Sequence, residues 1–237
     1  MPIPVPKNEA ARLEALRRYK LLDTPAEQAF DDFAQLAAQI CQTPIASVTL
    51  VDEHRQWFKA QVGLESRETP REQALCGYTI LTNEMMIVED ATLDTRFTTN
   101  PLVTAAPHIR FYAGAPLTDP EGHNLGSLCV IDRRPRTLQP EQKKALSTLA
   151  RQLMTLFHLR RVSAELAEAL ENLKTLRSLL PICSHCKNIR SDDGYWKEVT
   201  AYIRAHTGVE FSHGICPQCL QEHHPEVYGR LLAKGKI

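Results

Sequence analysis

Residues 44–64 read PIASVTLVDEHRQWFKAQVGL. Ile45, Ser47, Thr49 and Val51 alternate with Ala46, Val48 and Leu50, a period of two that predicts a β-strand. Asp52 to Arg55 read as a turn, and Gln56 to Val62 as the strand that returns. Upstream lie two helical patterns. Leu13, Leu16 and Leu21 fall near one face of a helix that Asn8 is placed to cap. Asp23-Thr24-Pro25 ends it, because the residue before a proline avoids the α region. Phe30, Phe33, Leu36, Ala37 and Ile40 then repeat at helical spacing.

Downstream, Thr69 to Asn83 reads as a loop passing into a short helix, and Met86 to Val88 as a short strand. Glu89 to Pro107 is polar and irregular. Ile109 to Leu117 and Leu125 to Ile131 read as two more strands, with Asp119, Pro120, Glu121 and Gly122 as the turn between them. Strands joined by hairpins, with helices gathered at the ends, predict an α+β domain built on one antiparallel sheet.

Pro140 suits the first turn of a helix, and no breaker follows until Pro181. About 40 residues at 1.5 Å each allow a helix of about 60 Å. Leu146, Leu149, Leu153 and Leu156 are expected to pack on the sheet. Leu159, Val162, Leu166, Ala169, Leu173, Leu176 and Leu180 then repeat at spacings of three and four, the seam of a coiled coil. The phase slips between Leu156 and Leu159, where the helix is expected to pass from packing on the core to pairing with a second copy. The alternative is a long helix covered by its own small domain.

The chain has 237 residues, zero formal net charge and a sequence pI near 7.1. That length suits one medium domain and one small one. The balanced charge argues against nucleic acid or an anionic membrane as bulk partner. No apolar run approaches the roughly 18 residues of a membrane helix, and the N-terminus lacks a signal-peptide core. A cytoplasmic location is expected.

Four of the seven cysteines form two C-x-x-C pairs, Cys183/Cys186 and Cys216/Cys219, with 29 residues between the pairs. Two-residue spacing lets a tight turn present both sulfurs to one ion, and two such turns complete a tetrahedron of thiolates. The expected cofactor is one structural Zn2+ per chain. Four sulfurs close the shell and leave no position for water or substrate. Iron also fits four thiolates. His185, His213, His223 and His224 are alternative ligands, with outer roles expected since four cysteines are present. Asp192-Asp193-Gly194 reads as a turn. Trp196, Val199, Tyr202 and Ile203 read as an amphipathic helix with Phe211 and Ile215 beside it, and LQEHH as a short helix. A segment of this size has little core and needs a staple.

The stretches NEAARLEALRRYKLLDTP, SVTLVDEHRQWFKAQVGL, IRFYAGAPL and GSLCVIDRRPRTL resemble the bacterial GAF domains of sensor kinases and related signalling proteins. The resemblance covers about residues 7–160. It implies a PAS-like antiparallel sheet of about six strands, with helices on one face and a ligand pocket on the other. Such domains bind cyclic nucleotides, linear tetrapyrroles, haem or small metabolites, and many have no known ligand. The chain has no Asn-Lys-x-Asp run of the cyclic-nucleotide type. Gly77 and Tyr78 follow Cys76, so the Cys-His pair that attaches a bilin is missing, and Tyr78 fills a slot that is often histidine. The resemblance places Cys76, Tyr78, Asp90, His108, Arg110 and Tyr112 near the pocket walls. Arg110 suits an anionic group or pairs with Asp90 or Asp94. Cys76 is a redox site if its thiolate is stabilised, and otherwise a small core residue. Cys41 and Cys129 read as core. The run from Leu180 to Leu220 also resembles a small C-terminal module at the ends of bacterial response regulators and sensor proteins, treble-clef-like or ribbon-like in fold.

The expected organisation is a tail (1–6), a GAF sensor domain (7–157), a coiled-coil linker helix (158–180), a four-cysteine zinc domain (181–228) and a second tail (229–237). The expected function is a non-catalytic signalling protein. Its GAF domain senses a ligand or partner and relays its state through a homodimer formed along residues 159–180. The zinc module then meets a protein such as a histidine kinase or response regulator. The two rivals are a small redox enzyme or thiol sensor using Cys76, which has no cysteine nearby in sequence to resolve a sulfenic acid, and a zinc module that binds nucleic acid.

Overall fold

A computed structural model describes residues 3–177, 181–191 and 193–235, with backbone alone for 173–177. The chain divides into two compact units, Met1–Glu168 and Ala169–Ile237. The first unit opens with α1 (Glu9–Arg18) and α2 (Gln28–Cys41). The hairpin β1 (Ile45–Val51) and β2 (Arg55–Val62) follows, then β3 (Glu68–Pro70), a 3-10 turn (Arg71–Gln73) and α3 (Cys76–Thr79). After β4 (Met86–Val88) and α4 (Pro101–Thr104) come β5 (Phe111–Thr118), β6 (Asn124–Asp132) and α5 (Pro140–Arg177). The sheet has the order β3-β2-β1-β6-β5-β4, every pairing antiparallel.

Both faces of this sheet are covered, so β1 is buried along its whole length although its sequence alternates. Ala46, Val48 and Leu50 of β1 and Leu128 and Val130 of β6 point to a core shared with α1, α2 and the start of α5. Ile45 and Val51 of β1, Tyr112 of β5, and Cys129 and Ile131 of β6 point to a second core with α3 and the segment up to Ile109. In β2 the alternation is reset by a bulge: Val48 pairs with Ala60 and Thr49 with Phe58. Lys59 is the extra residue. Its ammonium lies buried on the helical side, 2.5 Å from Glu27 Oε1 and 2.7 Å from Thr24 Oγ1, over the Phe30 ring.

Asn8 takes the N-cap position of α1, but its side chain makes no capping bond. The neighbouring Glu9 instead accepts from Arg12 at 2.7 and 2.8 Å, and also from Arg71. Arg12 is fully buried and donates as well to Val51 O at 2.7 Å, tying α1 to the end of β1. Burial opposes ionisation of Glu9, but Arg12 and Arg71 outweigh it and hold the carboxyl at about 2.

In α5 the side chains of Leu146, Leu153 and Phe157 are buried, Phe157 edge-on to Phe30 at 5.3 Å. Beyond the expected phase slip the apolar side chains turn outward: Leu159 is 60% exposed, Val162 42% and Leu166 59%. Leu180 of the expected seam lies outside the described residues, as do the side chains of Leu173 and Leu176. Among the described residues no helix is long and apolar enough to cross a membrane.

The second unit contains β7 (Ile189–Arg190) paired with β8 (Trp196–Lys197), then α6 (Val199–Thr207), α7 (Pro217–His223) and α8 (Pro225–Leu232). Trp196 lies on β8 rather than on the expected helix, which starts at Val199 after Glu198 takes the N-cap position. Asp192 of the expected turn lies outside the described residues, while Gly194 carries the positive φ of a turn at 88°. The helix α8 runs past residue 228, the expected end of the zinc domain, into residues expected to be a tail.

Candidate functional site

The sheet face away from α1 and α2 holds a cavity of about 380 Å³. Its apolar wall comes from Phe58 on β2, Leu64 beyond it, Leu102 on α4, Ile109, and Ile131 on β6. The segment that closes it is held by its own backbone and by Asn100. The Asn100 side chain accepts from Leu102 N at 2.9 Å and donates to Gln73 O at 3.0 Å, and Ile109 N donates to Leu102 O at 2.9 Å. Gln56 also lines the cavity, and its Oε1 is buried without a hydrogen-bond partner. Leaving an acceptor in that state costs about 1–3 kcal/mol. The bulge explains how the hairpin serves two cores at once: Trp57 and Ala60 join the helical core while Gln56 and Phe58 line the cavity.

The six residues expected around a pocket do not gather at this cavity. Arg110 donates to Val103 O at 2.9 Å and Ile109 O at 3.0 Å, so its guanidinium fastens the closing segment. Neither expected carboxylate partner takes it. Asp90 accepts from Thr92 N and Oγ1, which lowers its carboxyl below the usual range, and Asp94 pairs with Arg96 at 2.6 Å. His108 is exposed with φ at 61°. Tyr78 is half-buried, edge-on to Phe97 at 5.1 Å.

Cys76 and Tyr112 belong to a buried cluster of thiols and hydroxyls. The Cys76 sulfur lies 3.8 Å from the Cys129 sulfur and 3.3 Å from the Tyr112 hydroxyl. Thr79 Oγ1 stands 2.7 Å from that hydroxyl, and Ser47 Oγ 3.1 Å from Cys129. Thr49 donates to Ser127 O at 3.0 Å beside them. The Tyr112 ring lies over Gly114, where a Cβ would come within 2.2 Å of the hydroxyl. Burial opposes ionisation of Cys76, but hydrogen bonds from Cys129, Ser127, Thr49 and Tyr112 bring its thiol below the ordinary value. The hydrogen bond with Cys76 and burial push the Cys129 thiol up. The expectation that Cys76 lacks a neighbouring cysteine is therefore corrected. The neighbour is distant in sequence, because α3 folds onto β6. Cys41, in the other core, is pushed up to about 11 by burial.

In the second unit each C-x-x-C pair is drawn into a turn. Lys187 N donates to Cys183 O at 3.0 Å, and Cys183 N to Asn188 O at 2.8 Å. Cys216 caps α7, its sulfur accepting from Cys219 N at 3.4 Å. Backbone N–H groups, first those of Cys186 and Cys219, lower the Cys183 and Cys216 thiols. Such donors are what a thiolate bound to a soft ion requires. The two pairs do not form one cluster: among the described residues, the group of three or more possible ligand atoms within 4.8 Å of one another is Asp119, Glu121 and His123. Asp119 there accepts from the backbone of Glu121 and His123, and Glu121 pairs with Arg18, which is the bonding of a turn.

A family model described as the GAF domain matches residues 25–156. The chain is 46% identical over 156 residues to a Pseudomonas aeruginosa protein named a cyclic di-GMP phosphodiesterase. That match spans 65% of this chain and 27% of the relative, so the chain covers about a quarter of the relative's length. Among solved structures, the GAF domain of a phosphoenolpyruvate-protein phosphotransferase from Coxiella burnetii is 21% identical with a TM-score of 0.50, over 67% of this chain and 99% of that one. The GAF domain of the Acinetobacter phosphoenolpyruvate-protein phosphotransferase is 20% identical with a TM-score of 0.49, over 64% and 95%. At 21% identity the likeness to the Coxiella burnetii domain is one of fold. The expectation that the protein is not an enzyme is overturned by the phosphodiesterase relative. That expectation rested on the closed thiolate site, and a closed site in one unit says nothing about chemistry elsewhere in a protein.

Proposed function

Because the chain belongs to the GAF-domain family, we propose that it is a bacterial signal-transduction protein whose first unit senses a small molecule in the cavity beside β2 and β6. The observation that carries this reading is the buried, unpartnered Gln56 Oε1 beside a cavity of about 380 Å³ whose apolar wall of Phe58, Leu64, Leu102, Ile109 and Ile131 is interrupted by Glu65, Ser66, Thr69 and Arg133. A ligand with an apolar body and one N–H or O–H donor satisfies that acceptor and excludes water from Phe58, Ile109 and Ile131. In this reading His108 and Arg110 belong to the segment that opens to admit it.

The exposed Leu159, Val162 and Leu166 support pairing with a second copy through residues 159–180. Cys183, Cys186, Cys216 and Cys219 are assigned one structural zinc, with the pairs converging on the ion as it binds. The second unit then offers a docking surface to a signalling partner such as a histidine kinase or response regulator. The protein acts in the cytoplasm.

Native mass spectrometry of the full chain tests the sensor. The wild type is expected to carry one small molecule per chain, and Gln56→Leu to lose it while staying folded. Equal ligand-free spectra for both proteins would remove the cavity from the reading. The 46% identical relative favours a second statement about output, the hydrolysis of cyclic di-GMP. Incubating the full chain with cyclic di-GMP and a divalent metal, then resolving linear products by chromatography, decides it. Unchanged substrate would leave sensing without that output.

A further inference from the structure

The second core contains more polar chemistry than packing requires. Ser47, Thr49, Thr79, Tyr112 and Ser127 are all buried, and their hydroxyls surround two sulfurs within a core otherwise made of Ile45, Val51, Leu75 and similar side chains. A hydroxyl moved into such a place costs about 1–3 kcal/mol unless bonded. Alanine or valine would fill the same space without that cost. Of these hydroxyls, Tyr112 donates to the Cys76 sulfur at 3.3 Å and Ser47 stands 3.1 Å from the Cys129 sulfur, and an O–H donor stabilises a thiolate.

The two thiols come from elements far apart in the chain. Cys76 opens α3 and Cys129 lies in the middle of β6, yet their sulfurs are 3.8 Å apart. A disulfide needs about 2.05 Å, so the two sulfurs have to close by less than about 2 Å. The helix α3 is four residues long and Ile3 lies against its Gly77; in the proposed reaction, local opening of this short element is the route by which an oxidant reaches the buried Cys76.

We infer that Cys76 and Cys129 are a redox site, converted to a disulfide by hydrogen peroxide or another water-sized two-electron oxidant. The Cys76 thiolate attacks one peroxide oxygen. The S–O bond forms, the O–O bond breaks, and the departing hydroxide takes up the proton released by the Cys76 thiol to become water. Cys76 is then a sulfenic acid. The Cys129 sulfur attacks it and loses its own proton. The S–S bond forms, the S–O bond breaks, and the hydroxide leaves as a second water. One peroxide is reduced and two thiols are oxidised, so nothing beyond the oxidant is consumed. The new bond would tie α3 to β6 two residues from Ile131, a wall of the cavity.

Peptide mapping of the full-length wild-type chain tests this. The protein is reduced, freed of reductant, exposed to hydrogen peroxide under native conditions, blocked with iodoacetamide and digested. A peptide pair joining Cys76 to Cys129, two hydrogens lighter than its parts and released by dithiothreitol, is the expected result. Cys41 serves as internal reference in the opposite core and should oxidise about tenfold more slowly. In Cys129→Ser the sulfenic acid at Cys76 should persist and be trapped by dimedone. Failure of the Cys76–Cys129 pair to form in folded wild-type protein overturns the inference. So does formation no faster than Cys41 oxidation, which would mark general unfolding as the route. Both points are decided on the wild type, so they stand even where the variant fails to fold.

Discussion

In residues 1–168 the sheet is covered twice, with Leu50, Phe111 and Leu153 buried on one face and Ile45, Phe97 and Tyr112 on the other. Among the described residues of 169–237 the buried apolar side chains are Ile189 and Leu220, while Trp196 is 52% exposed and Ile215 50%. The two units reach order by different means. The first has enough apolar area to offset the entropy of ordering its chain. A segment of about 60 residues with so small a core needs a staple, and the paired thiols are where one fits.

The largest expected effect breaks this comparison at its weaker side. Zinc binding to small thiolate domains is worth about 10–16 kcal/mol at pH 7, so chelation, or Cys216→Ser, should collapse residues 181–235 and leave the thermal transition of the first unit in place. Calorimetry that shows both transitions lost together would mean the units are not independent. The next effect strikes the self-sufficient side. Phe157→Ala empties a fully buried ring site against Tyr19 and Phe30 and should cost about 4 kcal/mol in urea unfolding of the first unit. Glu9→Gln leaves the buried Arg12 without its counter-charge and should cost about 3 kcal/mol. The same pair sets a pH window. Glu9 titrates at about 2 in the folded chain against 4.5 in its ordinary state, so its contribution is complete above pH 4.5 and fades as pH falls towards 2. In Glu9→Gln that part of the acid sensitivity should disappear. The smallest effect concerns the exposed stripe. Leu166→Gln should change the stability of the first unit by no more than about 0.5 kcal/mol, yet convert a dimer to a monomer in sedimentation. An unchanged mass would remove the paired helix.

The sheet was legible because its signals are local. The β1–β2 hairpin and the β5–β6 hairpin each announce themselves by alternation around a polar turn. Several short elements escaped, β3 and α8 among them. The strand β3, Glu68–Pro70, is three residues long and ends in a proline, and exists because β2 offers it an edge. The helix α8 follows His224 directly and straddles the expected boundary between the zinc domain and the tail at 228/229, where no break in the sequence marks it. The candidate site was less legible for a deeper reason. Gln56 reads as an ordinary strand residue until the bulge at Lys59 assigns its face. Cys129 reads as core until β6 pairs with β1 and α3 folds over both. Cys76 and Cys129 are neighbours through topology, which spacing along the chain does not report. The Arg110 guanidinium carries a related lesson: its residue type suits an anion, but the carbonyls of Val103 and Ile109 were nearer.

The alternation of β1 has one more consequence. Ser47 and Val48 are adjacent in the chain and separated by a sheet: one addresses the thiols and the other the helices. Side chains on opposite faces cannot touch through a sheet. In the proposed reading, news of a ligand or an oxidised sulfur reaches α2 and α5 as a shift of strand backbone, because side chains on both faces hang from it. The partition that separates the two compartments is, in that reading, also their common membrane, a drumhead that one side strikes and the other hears.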